Sequence, residues 1–219
     1  SLGNNPGDPN NLFNRARLSY FGRAGYNYKE KYFLQGSIRR DGISKLGKDK
    51  RWTNFPGVSA GWTVSKESFM EGISGVVSDL KLRASIGYTG NDNVAPYTSQ
   101  ALLNQQTFYA AGANVVSGWQ SENLANPDLT WEKSQSSNVA IEFGIFKRFT
   151  GTIEYFNKDT KSLLLDVPIS MTTGFSQNLR NIGEVRNNGV ELELNAKILD
   201  NTDFKWSAGI NASFINSTV

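Results

Sequence analysis

The 219 residues contain no cysteine and no histidine. Without cysteine there is no disulfide frame and no thiolate site. Without histidine the Ser–His and Cys–His pairs of nucleophilic catalysis are excluded, and so is the commonest zinc ligand. No metal or cofactor site is expected, and an enzyme is the poorest reading. Long apolar runs are also missing: no stretch of ~18 such residues exists to make a spanning helix. A membrane β-barrel remains compatible, because it hides its apolar residues by alternation. Proline is scarce, at six, while aromatics reach 12%, which is not a disordered composition. The net charge of +3 has its signs interspersed. No basic stripe marks a nucleic-acid surface, and the run Lys45–Arg51 reads as a solvated loop. There is no signal peptide. The chain opens on Ser1-Leu-Gly-Asn and stops at Val219 just past a strand, so a fragment of something longer is expected.

What the sequence does have is alternation. In Asp79-Leu-Lys-Leu-Arg-Ala-Ser-Ile-Gly-Tyr88, Leu80, Leu82, Ala84, Ile86 and Tyr88 share one side; Lys81, Arg83, Ser85 and Gly87 share the other. Successive strand side chains point to opposite faces, so this is a strand with one apolar and one polar face. Thr89-Gly-Asn-Asp92 reads as the turn that ends it. The same pattern predicts strands over 17–28, 32–41, 58–65, 129–145, 150–159, 185–198 and 204–214. Two of the connections are expected to be long and polar, 89–128 and 160–184, with 163–169 a strand extension inside the second. A third, 41–56, is also a longer loop, polar and Gly-containing, that ends at Pro56 just before its strand.

Two regularities bear on what covers the apolar face. Shorter connections (29–31, 66–78, 146–148, 199–203) alternate with longer ones, as expected for the periplasmic turns and extracellular loops of an outer-membrane barrel. Aromatics crowd the short-turn end: Tyr26, Tyr28, Tyr32, Phe143, Phe149, Phe204 and Trp206, with Trp62 near it and Tyr88 and Trp131 at the other end. Amphipathic rings favour the headgroup level. A soluble or surface-attached β-sheet module, such as a glycan-binding sandwich, also alternates but requires neither regularity. A closed eight-stranded outer-membrane barrel is the third alternative.

Several blocks occur in one order: Leu18-Ser-Tyr-Phe-Gly-Arg23, Arg39-Arg-Asp-Gly42, Arg51-Trp-Thr-Asn-Phe-Pro-Gly-Val-Ser-Ala-Gly-Trp62, Leu80-Lys-Leu-Arg-Ala-Ser-Ile-Gly-Tyr-Thr-Gly-Asn91, Asn126-Pro-Asp-Leu-Thr-Trp-Glu132 and Asn181-Ile-Gly-Glu-Val-Arg-Asn-Asn-Gly-Val-Glu191. They resemble the C-terminal barrel half of the SusC-like (SusC/RagA type) TonB-dependent outer-membrane transporters, over nearly the whole chain. The resemblance implies an all-β, antiparallel, up-and-down transmembrane β-barrel. About eight of its ~22 strands would be present. Residues 1–219 would be a partial barrel domain, with no plug, no TonB box and no complete C-terminus. The resemblance further implies the outer membrane of Bacteroidetes-type bacteria and import of oligosaccharides or peptides. A SusD-like surface lipoprotein and TonB-ExbB-ExbD, acting through the plug, would be the partners.

Residue roles follow as expectations. The charges opposite the apolar set, Arg17, Arg23, Arg39, Lys81, Arg83, Glu142, Glu191, Glu193 and Lys197, would face a wet lumen. A Lys or Arg on the lipid side would cost ~2–4 kcal/mol at mid-depth. Asn91, Tyr97, Phe108, Tyr109, Trp119 and Phe175 sit in the long loops, where aromatic faces and amides can stack on and hydrogen-bond a cargo or pack against the lid protein. Asn91-Asp92-Asn93 lacks the spacing of a calcium loop and reads as a turn. Asp159 and Asp166 form no carboxylate pair whose geometry the sequence sets.

Overall fold

A computed structural model describes residues 16–94, 98–112 and 114–219. The strands are β1 (Arg17–Tyr28), β2 (Tyr32–Ile43), β3 (Trp52–Thr63), β4 (Val77–Asn91), β5 (Leu103–Ala111), β6 (Asn114–Ser121), β7 (Glu132–Ile145), β8 (Phe149–Pro168), β9 (Gln177–Asp200) and β10 (Lys205–Thr218). Eight of them form one antiparallel meander in the order β1-β2-β3-β4-β7-β8-β9-β10, and β5 and β6 make a separate hairpin. β1 and β10 are the two edges, so the chain does not close into an eight-stranded barrel. The strands of the eight-stranded sheet run from 12 residues in β1 to 24 in β9. Strands of soluble domains usually stop short of ten.

Several boundaries differ from the sequence expectation. β3 starts at Trp52 and holds Pro56 inside it, paired with Ile38. The β3–β4 ladder begins one residue later, at Gly57–Gly87, so the proline sits beside a free strand flank, where a missing donor is harmless. Thr89, Gly90 and Asn91 belong to β4 rather than to a turn. Gly90 is there for space: a Cβ would strike the ring of Phe55. The supposed connection 160–184 is mostly strand, because β8 and β9 go on pairing as far as Pro168–Gln177 and leave only 169–176 between them. The 40-residue insert is partly ordered by the β5–β6 hairpin. Connection length therefore does not alternate cleanly, since 64–76 is longer than 44–51 or 169–176. The asymmetry lies in the strand extensions and the 92–131 insert, all at one end.

The register sorts the two faces. One row crosses all eight strands: Tyr28–Tyr32–Trp62–Leu82–Ile141–Ile153–Leu192–Ala212. At β1 it is the bottom of the apolar run Leu18–Tyr28; at β9 and β10 it lies near the top of that run. Its first three members are rings, its last five aliphatic. The apolar band thus drifts by about seven residues across the sheet, which at ~3.3 Å per residue and ~4.8 Å per strand is a tilt of roughly 35°. That is the tilt of strands in a membrane barrel.

Most of this band is solvent-exposed in the isolated chain, including Tyr26, Leu34, Val58, Ile86, Val139, Ile153, Ile210 and Phe214. At its lower margin Tyr26, Tyr28, Tyr32 and Trp62 stack in sequence, with centroids 6.4–6.5 Å apart. At its upper margin Tyr20 stacks on Trp52 at 6.0 Å and Arg40 covers the same indole. Gly42 makes room for that indole: a Cβ would lie 2.8 Å from its ring.

Candidate functional site

The polar face is the concave one. A concavity of about 510 Å³ is lined by Arg17, Phe21, Ser37, Arg39, Asp41 and Asn138 among others. Phe21 points here with its register partner Arg39. Arg17 and Arg39 converge on the buried Asp41 at 3.1 and 2.8 Å. Lower down, Lys81 and Glu142 are register partners 3.9 Å apart. Arg83 donates to Glu142 at 2.8 Å and also to Glu154, which accepts from Asn138. Glu191 and Glu193 continue the same rows, opposite Glu154 and Thr152. Asn195 donates to Glu193 at 2.9 Å. The expected luminal charges therefore share one face; Arg17, Arg39, Lys81, Arg83 and Glu142 are joined in ion pairs, with Asp41 and Glu154 as partners the sequence did not single out. Gly61 faces the Phe33 ring, over which the Lys81 ammonium sits at 5.5 Å.

Above this wall the loop roots form a compact knot. Ile43, Leu46, Phe55, Val94, Leu129 and Trp131 are buried together, with Leu164 and Leu179 packed against them. Trp131 is 0% exposed. It stands edge-on to Phe55 at 5.7 Å, takes Arg17 on its face at 5.9 Å and donates its indole N–H to the Arg51 carbonyl. It is a core residue and not the rim aromatic that alternation suggested. Lys45 donates to the Val94 carbonyl at 2.7 Å, and Arg51 to that of Leu46 at 3.0 Å. Lys45, half-buried, is thus tied into the fold, whereas Arg51 makes its bond while staying exposed.

Asn181 closes the knot. Its Oδ1 accepts from the Thr130 N–H at 2.9 Å, and its Nδ2 donates to the carbonyls of Thr130 and Ser162 at 3.0 and 2.9 Å. Ser162 sits at φ +59° where the β8–β9 register shifts, a bulge that bends the strand. Asn126 donates to the Leu179 carbonyl at 2.7 Å. Three of the sequence blocks, those containing Arg51, Asn126 and Asn181, thus meet at one place. The signal was the blocks themselves; alternation does not register residues that leave the ladder.

The expected loop residues do not converge. Asn91 ends β4 and accepts from the Asn93 N–H at 3.2 Å, which is a turn role. Tyr97 lies outside the described residues. Phe108 and Tyr109 are exposed on opposite faces of the hairpin, their register partners being Ser117 and Val116. Phe108, Val115 and Trp119 share one exposed apolar face. Phe175 lines a separate cleft of about 270 Å³ with Asn123, Leu124, Asp166 and Asn178. Among the described residues no group of histidine, cysteine or carboxylate side chains is placed to hold a metal.

Comparison with known proteins agrees with this architecture. Residues 1–218 match the family model described as TonB dependent receptor-like, beta-barrel. The chain is 41% identical to TonB-dependent receptor P39 of Formosa agariphila over 205 residues, 93% of this chain and 19% of that protein. It is 32% identical to TonB-dependent receptor SusC of Bacteroides thetaiotaomicron over 207 residues, 92% of this chain and 20% of that protein. The structure of the RagAB peptide importer in the closed-closed state superposes with a TM-score of 0.81 at 30% identity, covering 93% of this chain and 22% of the other. The siderophore receptor PirA of Pseudomonas aeruginosa shares the fold alone, with a TM-score of 0.58 at 16% identity. The chain thus spans about a fifth of the length of the curated relatives it matches. It belongs to the TonB-dependent receptor-like β-barrel family of the outer membrane.

Proposed function

We propose that this chain is a sector of the wall of a TonB-dependent active importer of the SusC/RagA type, carrying oligosaccharides or peptides inward. The observation that carries the reading is the division of faces: an apolar band tilted as in a membrane barrel, backed by a concave face of paired charges. The concave charges, with Glu191, Glu193 and Arg23, would line the lumen around a plug supplied by another part of the protein. The plug would couple to TonB-ExbB-ExbD. Phe108, Trp119 and Phe175 at the outer mouth would meet cargo or a SusD-like lipoprotein. Likeness to the RagAB peptide importer favours peptides; likeness to SusC leaves oligosaccharides in play.

The test uses the full-length protein in its own bacterium. Deletion of the gene should abolish uptake of one labelled class, peptide or oligosaccharide, and restoring it should recover uptake. Removing residues 103–121 should leave the barrel in the outer membrane but lower uptake or loosen the lipoprotein. Wild-type uptake of both classes in the deletion strain would sink the proposal. A soluble sandwich is disfavoured because, among the described residues, both flanking strands are open and the apolar face has no second sheet on it.

A further inference from the structure

The connection between β3 and β4, residues 64–76, is built as two short 3-10 segments, Val64–Lys66 and Ser68–Ile73. It lies at the short-turn end, which in an outer-membrane barrel faces the periplasm. One carboxylate decides where it goes. Glu67 accepts from the Tyr32 hydroxyl at 2.7 Å and the Trp62 indole N–H at 3.1 Å through Oε1, and from Lys31 at 3.0 Å through Oε2. Tyr32 and Trp62 are stacked members of the lower ring row on the apolar face. Glu67 therefore draws the connection outward, beneath the lipid-facing side of the sheet, and not across the mouth of the concave side. A second tie, Lys66 to Glu30, holds it to the β1–β2 turn.

The apolar residues of the segment then divide. Val64 and Met70 are buried. Phe69 is 66% exposed, Ile73 48% and Val76 47%. Among the described residues nothing covers these three, and they belong to the segment that Glu67 ties to Tyr32 and Trp62 of the ring row.

We propose that residues 64–76 lie along the periplasmic leaflet, with Phe69, Ile73 and Val76 inserted at the headgroup–acyl boundary and Glu67 as the clasp that lays them there. The occupant of this patch is lipid, because the patch is continuous with the surface that meets lipid and lies beside rings suited to the interface. The inference needs only that the sheet spans the outer membrane and is independent of cargo.

The segment described here has no native cysteine, which suits a label. The full-length protein, with any cysteine elsewhere replaced, would carry a nitroxide at Phe69→Cys, Ile73→Cys or Val76→Cys in lipid nanodiscs. Lys48→Cys, in the opposite loops, is the aqueous reference. Collision rates with oxygen and with a water-soluble nickel chelate report depth. Labels at Phe69 and Ile73 should favour oxygen several-fold over the reference, and adding Glu67→Gln should bring that ratio back toward it. Nickel collisions as frequent as at Lys48 would overturn the proposal. So would labels shielded from both quenchers, which would mean a protein partner. The Val76 label carries the test should either larger residue prove necessary for folding, as judged by barrel migration on unheated gels.

Discussion

The indole nitrogen of Trp131 lies 3.1 Å from the carbonyl oxygen of Arg51, 80 residues earlier in the chain. That bond, with the edge-on contact to Phe55, pins the return end of the 92–131 insert to the start of β3. Trp131→Ala should cost about 3–5 kcal/mol, as expected when a fully buried large ring leaves a cavity. Trp131→Phe keeps most of the packing and loses the N–H. The Arg51 carbonyl still accepts from Ile43, so the cost should be about 1 kcal/mol. Limited proteolysis within 98–128 should speed up strongly in the first variant and little in the second.

Asn181 makes a different argument from the same knot. It serves as both donor and acceptor to Thr130 and as donor to Ser162, so no isosteric replacement satisfies every partner. Asn181→Asp keeps the acceptor but puts an anion against two carbonyls; Asn181→Leu leaves three backbone groups unpaired. Each should cost about 1–3 kcal/mol. Hydrogen exchange at Thr130 should rise by one to two orders of magnitude, a factor of ten per ~1.4 kcal/mol, while the strand amides of β1 and β2 stay unchanged.

Alternation was enough to read the membrane part of this fold. Leu80–Tyr88 against Lys81–Gly87 is a two-residue period, and the register keeps those sets on opposite faces. The same reasoning put Arg17, Arg39, Lys81, Arg83 and Glu142 on one face before any contact was known. It stopped where the ladder leaves lipid. The upper halves of β8 and β9 break the two-residue period, with Leu163, Leu164 and Leu165 consecutive in β8 and mostly polar residues in β9, so only 163–169 read as strand, although their backbone pairing is unbroken apart from the bulges at Ser162 and Ile182. Trp131 and Leu129 lie just outside β7, where no period applies, and only the tertiary knot explains them. The loop aromatics were identified by type alone, and type does not bring side chains together.

The two tightest turns carry a cost that the sequence can relieve. Lys29 and Glu30 have φ of +53° and +54°, and Phe146 and Lys147 have +53° and +56°. These are left-handed conformations at non-glycine residues, each less favourable by roughly 1–2 kcal/mol. Asn-Gly is the usual solution for such hairpins. Lys147→Gly should therefore stabilise the hairpin by about 1 kcal/mol, less the added freedom of the unfolded chain. Glu30→Gly should gain less, because it gives up the tie to Lys66. Denaturant midpoints in a fixed detergent would show the difference.

Glu67 supplies the pH dependence. Hydrogen bonds from Tyr32, Lys31 and Trp62 hold its carboxyl at about 2, below the usual carboxylate value of 4.5. A depressed pKa means that the folded state favours the anion. The stabilisation is fully present above the unfolded value and is lost as pH falls from there through about 2. The clasp should thus be intact at neutral pH and loosen only in strong acid. Nitroxide mobility at Phe69→Cys should rise through that low window, and Glu67→Gln should remove the transition while leaving the segment loose at pH 7.

The row from Tyr28 to Ala212 tests the tilt itself. If the strands stood upright, its members would lie at one depth and one substitution would cost the same anywhere along it. The tilted sheet instead puts Tyr28 at the headgroup level and Ile153 in the hydrocarbon. Ile153→Lys should therefore cost ~2–4 kcal/mol and Tyr28→Lys ~0–1 kcal/mol, each taken relative to alanine at the same position so that the lost stacking of Tyr28 cancels. Ala212→Lys should cost less than Ile153→Lys, since Ala212 lies near the top of a run that ends at Phe214 and so approaches the outer headgroup level. Equal costs at Tyr28 and Ile153, measured by reversible unfolding of the full-length barrel from liposomes, would show that the drift of the apolar band is not a tilt.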